Sequence, residues 1–320
     1  MQYTNHGPLN RDTMFACFYD IYQRVFDVIE SETSYKRIID SSLLFEFEVY
    51  YQLRENYKVY NPPEQRKKSM LLVQLIDPQG YLDNNPDFER FGWQGIDVLG
   101  DRTTKYSFWG EVMCEYWAKN FEKFETDVEL KFDKDFKKYL MYNRKPAHHR
   151  KIAVAQLEKG NLLNDGYVTL ADQLTLPMPD VNEFFLFSDG GSKAFSDPSL
   201  GDMHIWNHSF VNVISESVSN GTFMSEKTFK PIVGKRPFIS LNKERTQRLI
   251  DIGFKTFGNF WDENKDWYEQ VDFICRQDVE TLKGWWESYE MQDILEHNKM
   301  HFWSTYQAIN KQFLYDFFKK

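Results

Sequence analysis

Cysteine is scarce in this sequence: Cys17, Cys114 and Cys275 are spread over 320 positions. They form no CxxC pair and cannot all pair with one another. A disulfide framework and a cysteine-rich zinc site are therefore not expected; reduced, packed thiols in a reducing compartment are. Proline (11) and glycine (16) are also sparse, which excludes collagen-like and low-complexity chains. No run reaches 18 apolar residues, so no membrane-spanning helix is expected. The first residues are polar and lack the apolar segment of a secretory signal. Net positive charge is missing as well. With 39 Lys and Arg against 48 Asp and Glu, the formal charge is -9, which argues against a general polyanion-binding surface and leaves room only for a local basic cleft. The expectation is a soluble cytoplasmic protein. GxSxG, GxxxxGK[ST] and GxGxxG do not occur, which counts against a hydrolase elbow, a P-loop kinase and a dinucleotide oxidoreductase.

What is present is aromatic. Phe (28), Tyr (18) and Trp (9) bring the aromatic share to 17%, enough for thick packing in two compact domains or one large one. Residues 13–29 place Phe15, Phe18, Ile21, Tyr22, Val25, Phe26 and Ile29 on one helical face. The run 70–76 predicts a buried strand ending at Asp77-Pro78. Residues 80–105 are rich in turn formers and read as a long irregular stretch, and 107–121 resume a helical pattern. A charged segment near 125–135 suggests a boundary, giving domains 1–130 and 131–320. In the second half, strands are expected at 136–142, 184–187, 210–214 and 237–241. Helices are expected at 147–157, 226–232 and 245–252, the last ending at Gly253, with a helical aromatic tail over 280–318. Alternating strands and helices predict an α/β fold with parallel sheets.

The segment 212–241 carries the most chemistry. A strand ends near Glu216, a loop containing Asn220-Gly221 follows, and Ser225 stands where a helix N-cap belongs. Glu226 and Lys227 then fall in the first turn, where free amides and the helix dipole favour an anion. Ligands of open α/β sheets bind at the carboxyl ends of strands, where this loop lies. The bland reading is an ordinary capped helix with a solvated ion pair.

The whole segment resembles the donor-binding motif of the α1,3-fucosyltransferase family and related inverting glycosyltransferases with two Rossmann-like domains, the GT-B architecture. Glu216-Ser217 matches the family's first acid. Phe223-Met224-Ser225-Glu226-Lys227 matches the second block, its Glu ten residues later, and Pro237-Phe238-Ile239 matches the strand that follows. Ser217 stands where the family has Asn, and Ser225 where it has Thr. Lys230-Pro231 sits inside the helix, which implies a kink or a short first turn. Asn143 to Lys151 repeats the family's order of an Asn opening a loop and an Arg on the next helix; Arg150 is the better counterpart and Arg144 the rival. Residues 131–151 hold eight Lys or Arg against two Asp, a local charge of +6. A phosphate-bearing ligand accounts for that excess; a solvated basic helix face is the alternative. Gly253 to Phe257, with Trp261, Asp262, Glu263 and Asp266, is similar to small glycosyltransferases of viral or phage type. Its acids either line the cleft or make a turn.

The resemblance implies a transferase that moves a sugar from a nucleoside diphosphate sugar to an acceptor hydroxyl with inversion and without an obligatory metal or other cofactor. Arg150, Lys227 and the amides after Ser225 are expected to hold the diphosphate, Glu226 the ribose or sugar hydroxyls, and Glu216 the donor sugar or the loop. The general base is expected in the amino-terminal half, with Asp77 chosen over Asp101 and Glu111. The acceptor is a glycan, a small molecule or, as for a phage enzyme acting in a host cytoplasm, a hydroxymethylated pyrimidine of DNA. A non-catalytic binding module that keeps the fold is the reading from a different class.

Two histidine pairs, His204/His208 and His297/His301, have the four-residue spacing of helical metal ligands, but neither carries the HExxH glutamate, and neither is read as a zinc site. His148-His149 is expected beside the diphosphate or in solvent. Asp133-Lys134-Asp135 is formally a DxD, but it lies in a charged, helix-like run and is not read as a metal motif. Trp285-Trp286 and Phe302-Trp303 are expected in core or inter-domain packing, with stacking on a sugar or base as the alternative.

Overall fold

The computed structural model describes residues 37–40, 69–73, 89–92, 102–103, 110–111, 114, 129–143, 147–170, 174–176, 200, 203–217 and 222–318. They form an α/β structure with two sheets. In the first, β1 (Arg37–Asp40), β2 (Ser69–Val73), β3 (Glu89–Gly92) and β4 (Arg102–Thr103) pair in that order, all in parallel. The strand expected at 70–76 is β2. The irregular reading of 80–105 is corrected: β3 and β4 lie within it. Strands of four and two residues among turn formers are too short to show a period. The expected helix at 13–29 and strand at 184–187 lie outside the described residues. Of the helix expected at 107–121, residues 110, 111 and 114 are described and are helical.

The second sheet holds β5 (Lys137–Met141), β6 (Gly166–Leu170), β7 (Leu174–Leu176), β8 (Ser209–Ile214) and β9 (Phe238–Ser240), in the order β7-β6-β5-β8-β9. Only β7 is antiparallel to its neighbour. All six residues of β8 are buried. That suits a central strand covered on both faces, and its near-continuous apolar run follows from it. The helices are α1 (His148–Lys159), α2 (Met203–Asn207), α3 (Glu226–Val233), α4 (Lys243–Asp251), α5 (Trp267–Cys275), α6 (Val279–Glu287), α7 (Tyr289–His301) and α8 (Gln307–Phe318). A π-helical turn, Phe302–Tyr306, joins α7 to α8. The tail is thus helical, as its pattern predicts. Among the described residues no helix is long and apolar enough to cross a membrane.

This topology positions the site. From β5 the chain runs through α1 to β6 on one side. From β8 it runs through α3 to β9 on the other. The carboxyl ends of β5 and β8 therefore diverge at a topological switch point, where open α/β sheets place their ligands. Leu140 pairs with Asn212, so Asn143 and Ser215 leave neighbouring strand ends three residues further on.

One apolar cluster runs from Leu140 and Val211 in the sheet to Phe302 and Tyr306 in the tail. Phe229 of α3 meets Phe302 and Tyr306 at centroid separations of 5.2 and 5.1 Å. Trp285 packs on Phe210, Phe260 and Phe273; Trp285, Trp286 and Trp303 are partly buried and pack against the core, while Phe302 is part of it. Buried Arg236 joins four segments: it donates to the carbonyls of Trp206 and Glu129, reaches Asn207 Oδ1, and lies over the Trp286 ring. Gly253 ends α4 at φ +96°, a conformation that costs glycine little. His297 and His301 stack on one another and donate to the carbonyls of Gly253 and Ile252. That pair is a brace for the end of α4.

Candidate functional site at the switch point

Glu216 leaves β8 almost fully buried, at 2% exposure. Its carboxylate gathers the start of α3: it accepts from Ser225 N–H (2.8 Å), Ser225 Oγ (2.6 Å) and Thr228 Oγ1 (2.6 Å). Ser225 is the N-cap, accepting in turn from Lys227 N–H at 3.3 Å. A helix N-terminus attracts an anion, and here the chain supplies one from ten residues upstream. Glu216 thus takes the loop-holding role among those expected of it. Of the amides after Ser225 that are expected to face a diphosphate, those of Lys227 and Thr228 are already engaged, by the Ser225 hydroxyl and carbonyl. The helix runs unbroken through Pro231 to Val233; the proline removes one amide donor without ending it.

Glu226 is buried and ion-paired with the Lys227 ammonium. Burial pushes its carboxyl up, but Lys227 and Lys230 outweigh that and hold it well below the usual carboxylate range. Arg150, on the first turn of α1, is 2% exposed and donates through Nη2 to the Ser215 carbonyl at 3.0 Å. Arg245, on α4, is equally deep and donates to the Phe223 carbonyl (2.7 Å) and Ser240 Oγ (3.0 Å). Burial works against the charge of both guanidiniums; Glu216 favours it for both, and Glu226 does so for Arg150. Arg150 and Lys227, drawn from separate stretches of chain, thus share Glu226 as a common electrostatic neighbour.

A cavity of about 170 Å³ opens at these strand ends. His149, Ile152, Ala153 and Gln156 of α1 form one wall, and Glu216, Leu241, Arg245 and Trp267 the others. Neither Arg150 nor Lys227 lines it. His149 Nε2 lies 2.9 Å from the Glu216 carbonyl oxygen, which can only accept, so the ring carries its proton on Nε2. Burial pulls its pKa down, and a neutral ring leaves Nδ1 as an acceptor.

Two further side chains sit at the switch point itself. Asn143 is 1% exposed and, among the described residues, neither its Oδ1 nor its Nδ2 has a partner; Ser215 is 2% exposed and its Oγ has none among them either. The backbone N–H and C=O of Asn143 both meet the Thr169 hydroxyl. Orphaned buried polar atoms cost about 1–3 kcal/mol each, so they mark a place where something other than packing is at work.

The remaining sequence candidates fall elsewhere. Arg144, Asp77 and Asp101 lie outside the described residues. Glu111 is buried, 3.7 Å from Lys311 of α8, which makes it part of an internal ion pair. The acids after Trp261 make turns and caps. Glu263 accepts from Phe257 N–H, Asp262 from Asn264 N–H, and Asp266 caps α5 in a reciprocal box with Glu269. Of the cavity residues, Arg245 and Trp267 carry no recognisable sequence signal, because only the folded sheet brings their helices to the strand ends.

No protein-family model matches the chain, and no curated protein is significantly similar to it.

Proposed function

We propose that the chain is a glycosyltransferase that takes a nucleoside diphosphate sugar at the switch point between β5 and β8 and transfers the sugar to an acceptor hydroxyl with inversion. The observation that carries this reading is the orphaned pair Asn143 and Ser215. Together they offer one amide donor, one amide acceptor and one hydroxyl, the mixture that ribose or sugar hydroxyls and phosphate oxygens require. The resemblance of 212–241 and 143–151 to the donor site of inverting GT-B enzymes supports the same choice.

In this reading the acceptor oxygen attacks the anomeric carbon as a base removes its proton. The bond from that carbon to the diphosphate oxygen breaks, and the electron pair stays with the diphosphate. Charge grows on the leaving group, and preorganised cations stabilise it. Arg150 and Lys227, both neighbours of Glu226, supply that positive field near the start of α3, and Arg245 supplies it from the cavity wall. Glu216 keeps the start of α3 in place, and Glu226 fixes Lys227. The base comes from the amino-terminal half, with Asp77 as the choice.

The test is incubation with labelled UDP-, GDP-, CDP- and TDP-sugars, following slow donor hydrolysis and transfer. Turnover of one donor supports the proposal. Label entering hydroxymethylated DNA identifies the acceptor as a modified base. A chain that turns over none of the donors and binds no nucleotide is a non-catalytic module.

A further inference from the structure

At the opposite end of the same strands, two motifs that the sequence keeps about 70 residues apart come together. Asp133 and Asp135 occupy the turn before β5, not a helix as their charged surroundings suggest. His204 lies on α2, and His208 follows it directly before β8. Parallel pairing of β5 with β8 brings the two entrances together, fastened by Lys137 N–H to the His208 carbonyl at 2.7 Å. Ligand atoms of Asp135, His204 and His208 all lie within 4.8 Å of one another.

His208 has one ring nitrogen already engaged. Its Nδ1 stands 2.6 Å from the His204 carbonyl oxygen and must carry a hydrogen. In the neutral ring Nε2 is then a lone pair, and it faces Asp133 Oδ2 at 3.1 Å. A proton on Nε2 makes that contact an ordinary histidine–carboxylate ion pair, and a metal ion in the proton's place makes the two atoms neighbouring ligands. An Nδ1–H held by a carbonyl, with Nε2 left to bind, is also the arrangement that orients a metal-ligating histidine. The spacing fits. In a tetrahedral shell with bonds of about 2.0–2.1 Å, neighbouring ligand atoms are about 3.3 Å apart. His208 Nε2 to Asp133 Oδ2 is 3.1 Å, and His204 Nε2 to Asp135 Oδ2 is 3.6 Å. His208 is buried, while the side chains of His204 and Asp135 are half-exposed.

We propose that Asp135, His204 and His208 form a structural Zn²⁺ site that clamps the entrances of β5 and β8, with Asp133 the nearest candidate for the fourth position. Two imidazoles and a carboxylate suit zinc better than magnesium or calcium, which prefer oxygen alone. The strands separate this site from Asn143 and Ser215 by about 20 Å at roughly 3.3 Å per residue. Its occupancy is therefore independent of the switch-point reading.

The experiment is titration of the metal-stripped full chain with Zn²⁺, and with Co²⁺ as a spectroscopic probe, followed by calorimetry and thermal unfolding. One equivalent of Zn²⁺ is expected to bind and raise Tm, and Co²⁺ to give the visible absorption of a four-coordinate ion. His204→Gln and Asp135→Asn, both at half-exposed positions, should each weaken binding by roughly 100-fold or more. His148→Gln, an exposed histidine outside the cluster, should leave binding unchanged. Absence of stoichiometric binding, or binding that survives both ligand substitutions, overturns the proposal.

Discussion

Replacing Glu216 by Gln keeps the shape of the side chain and removes its charge. Two donors, Ser225 N–H and Thr228 Oγ1, converge on Oε1, and Ser225 Oγ reaches Oε2. Hydrogen bonds to a charged group contribute about 1.5–3 kcal/mol each and neutral ones about 0.5–1.5. The substituted amide retains one acceptor oxygen, so the two bonds to it lose about 1 kcal/mol apiece. The Ser225 hydroxyl must turn from donor to acceptor, and Arg150 and Arg245 lose a common counter-charge. The sum is about 2–4 kcal/mol of folding stability. Urea unfolding should show a lower midpoint at unchanged slope, and hydrogen exchange should show the Ser225 amide losing protection. Thr228→Val, which removes one donor without changing shape, should cost about 1–2 kcal/mol and be strongly non-additive with Glu216→Gln. A Glu216→Gln chain within about 0.5 kcal/mol of the parent, a typical neutral surface change, would refute the argument that this carboxylate holds α3.

Lys227→Met leaves the Glu226 carboxylate buried without its nearest cation and should cost stability toward the lower end of about 3–5 kcal/mol, because the ammonium is part-exposed. Adding Glu226→Gln should restore most of that loss, and a double mutant no more stable than Lys227→Met alone argues against the coupling. His149 and His301 both have pKa values lowered from 6.5, chiefly by burial. The unfolded chain therefore binds more protons than the folded one below about pH 6.5. Stability is full above that pH and should fall as pH drops through the folded-state values, a slope that the double variant His149→Gln/His301→Gln should flatten in Tm measurements made with EDTA present. Gly166→Ala places a Cβ 2.3–2.5 Å from the Tyr139 ring and should destabilise by about 1–3 kcal/mol in denaturant titration.

Local signals are legible in the sequence. Ser225 as N-cap, Gly253 as the end of α4, and the apolar runs of β5, β8 and β9 each depend on a few adjacent residues. The cap of helix α5 is written there too, in the spacing Asp266 to Glu269, although Asp266 on its own reads as a turn or cleft acid. Long-range placements are not legible. Sequence alone makes Glu216 a plausible sugar ligand; only the fold brings Ser225 and Thr228 onto it. Asn143 can be placed at a loop start from its neighbours, but its burial without a partner is a property of the β5–β8 crevice. The convergence of Asp135 with His204 and His208 likewise depends on strand pairing, since neither half is distinctive alone.

The central claim is that Asn143 and Ser215 are left unsatisfied for a ligand. It is tested most directly by calorimetric titration of the parent chain and of Asn143→Leu with UDP, GDP, CDP and TDP. The account predicts one-to-one binding of one nucleotide to the parent and at least tenfold weaker binding (about 1.4 kcal/mol) to Asn143→Leu. The variant's folding stability should be equal or higher, because an orphaned polar group has been replaced by an apolar one. Binding of none of the four by the parent, or equal binding by both chains, contradicts it.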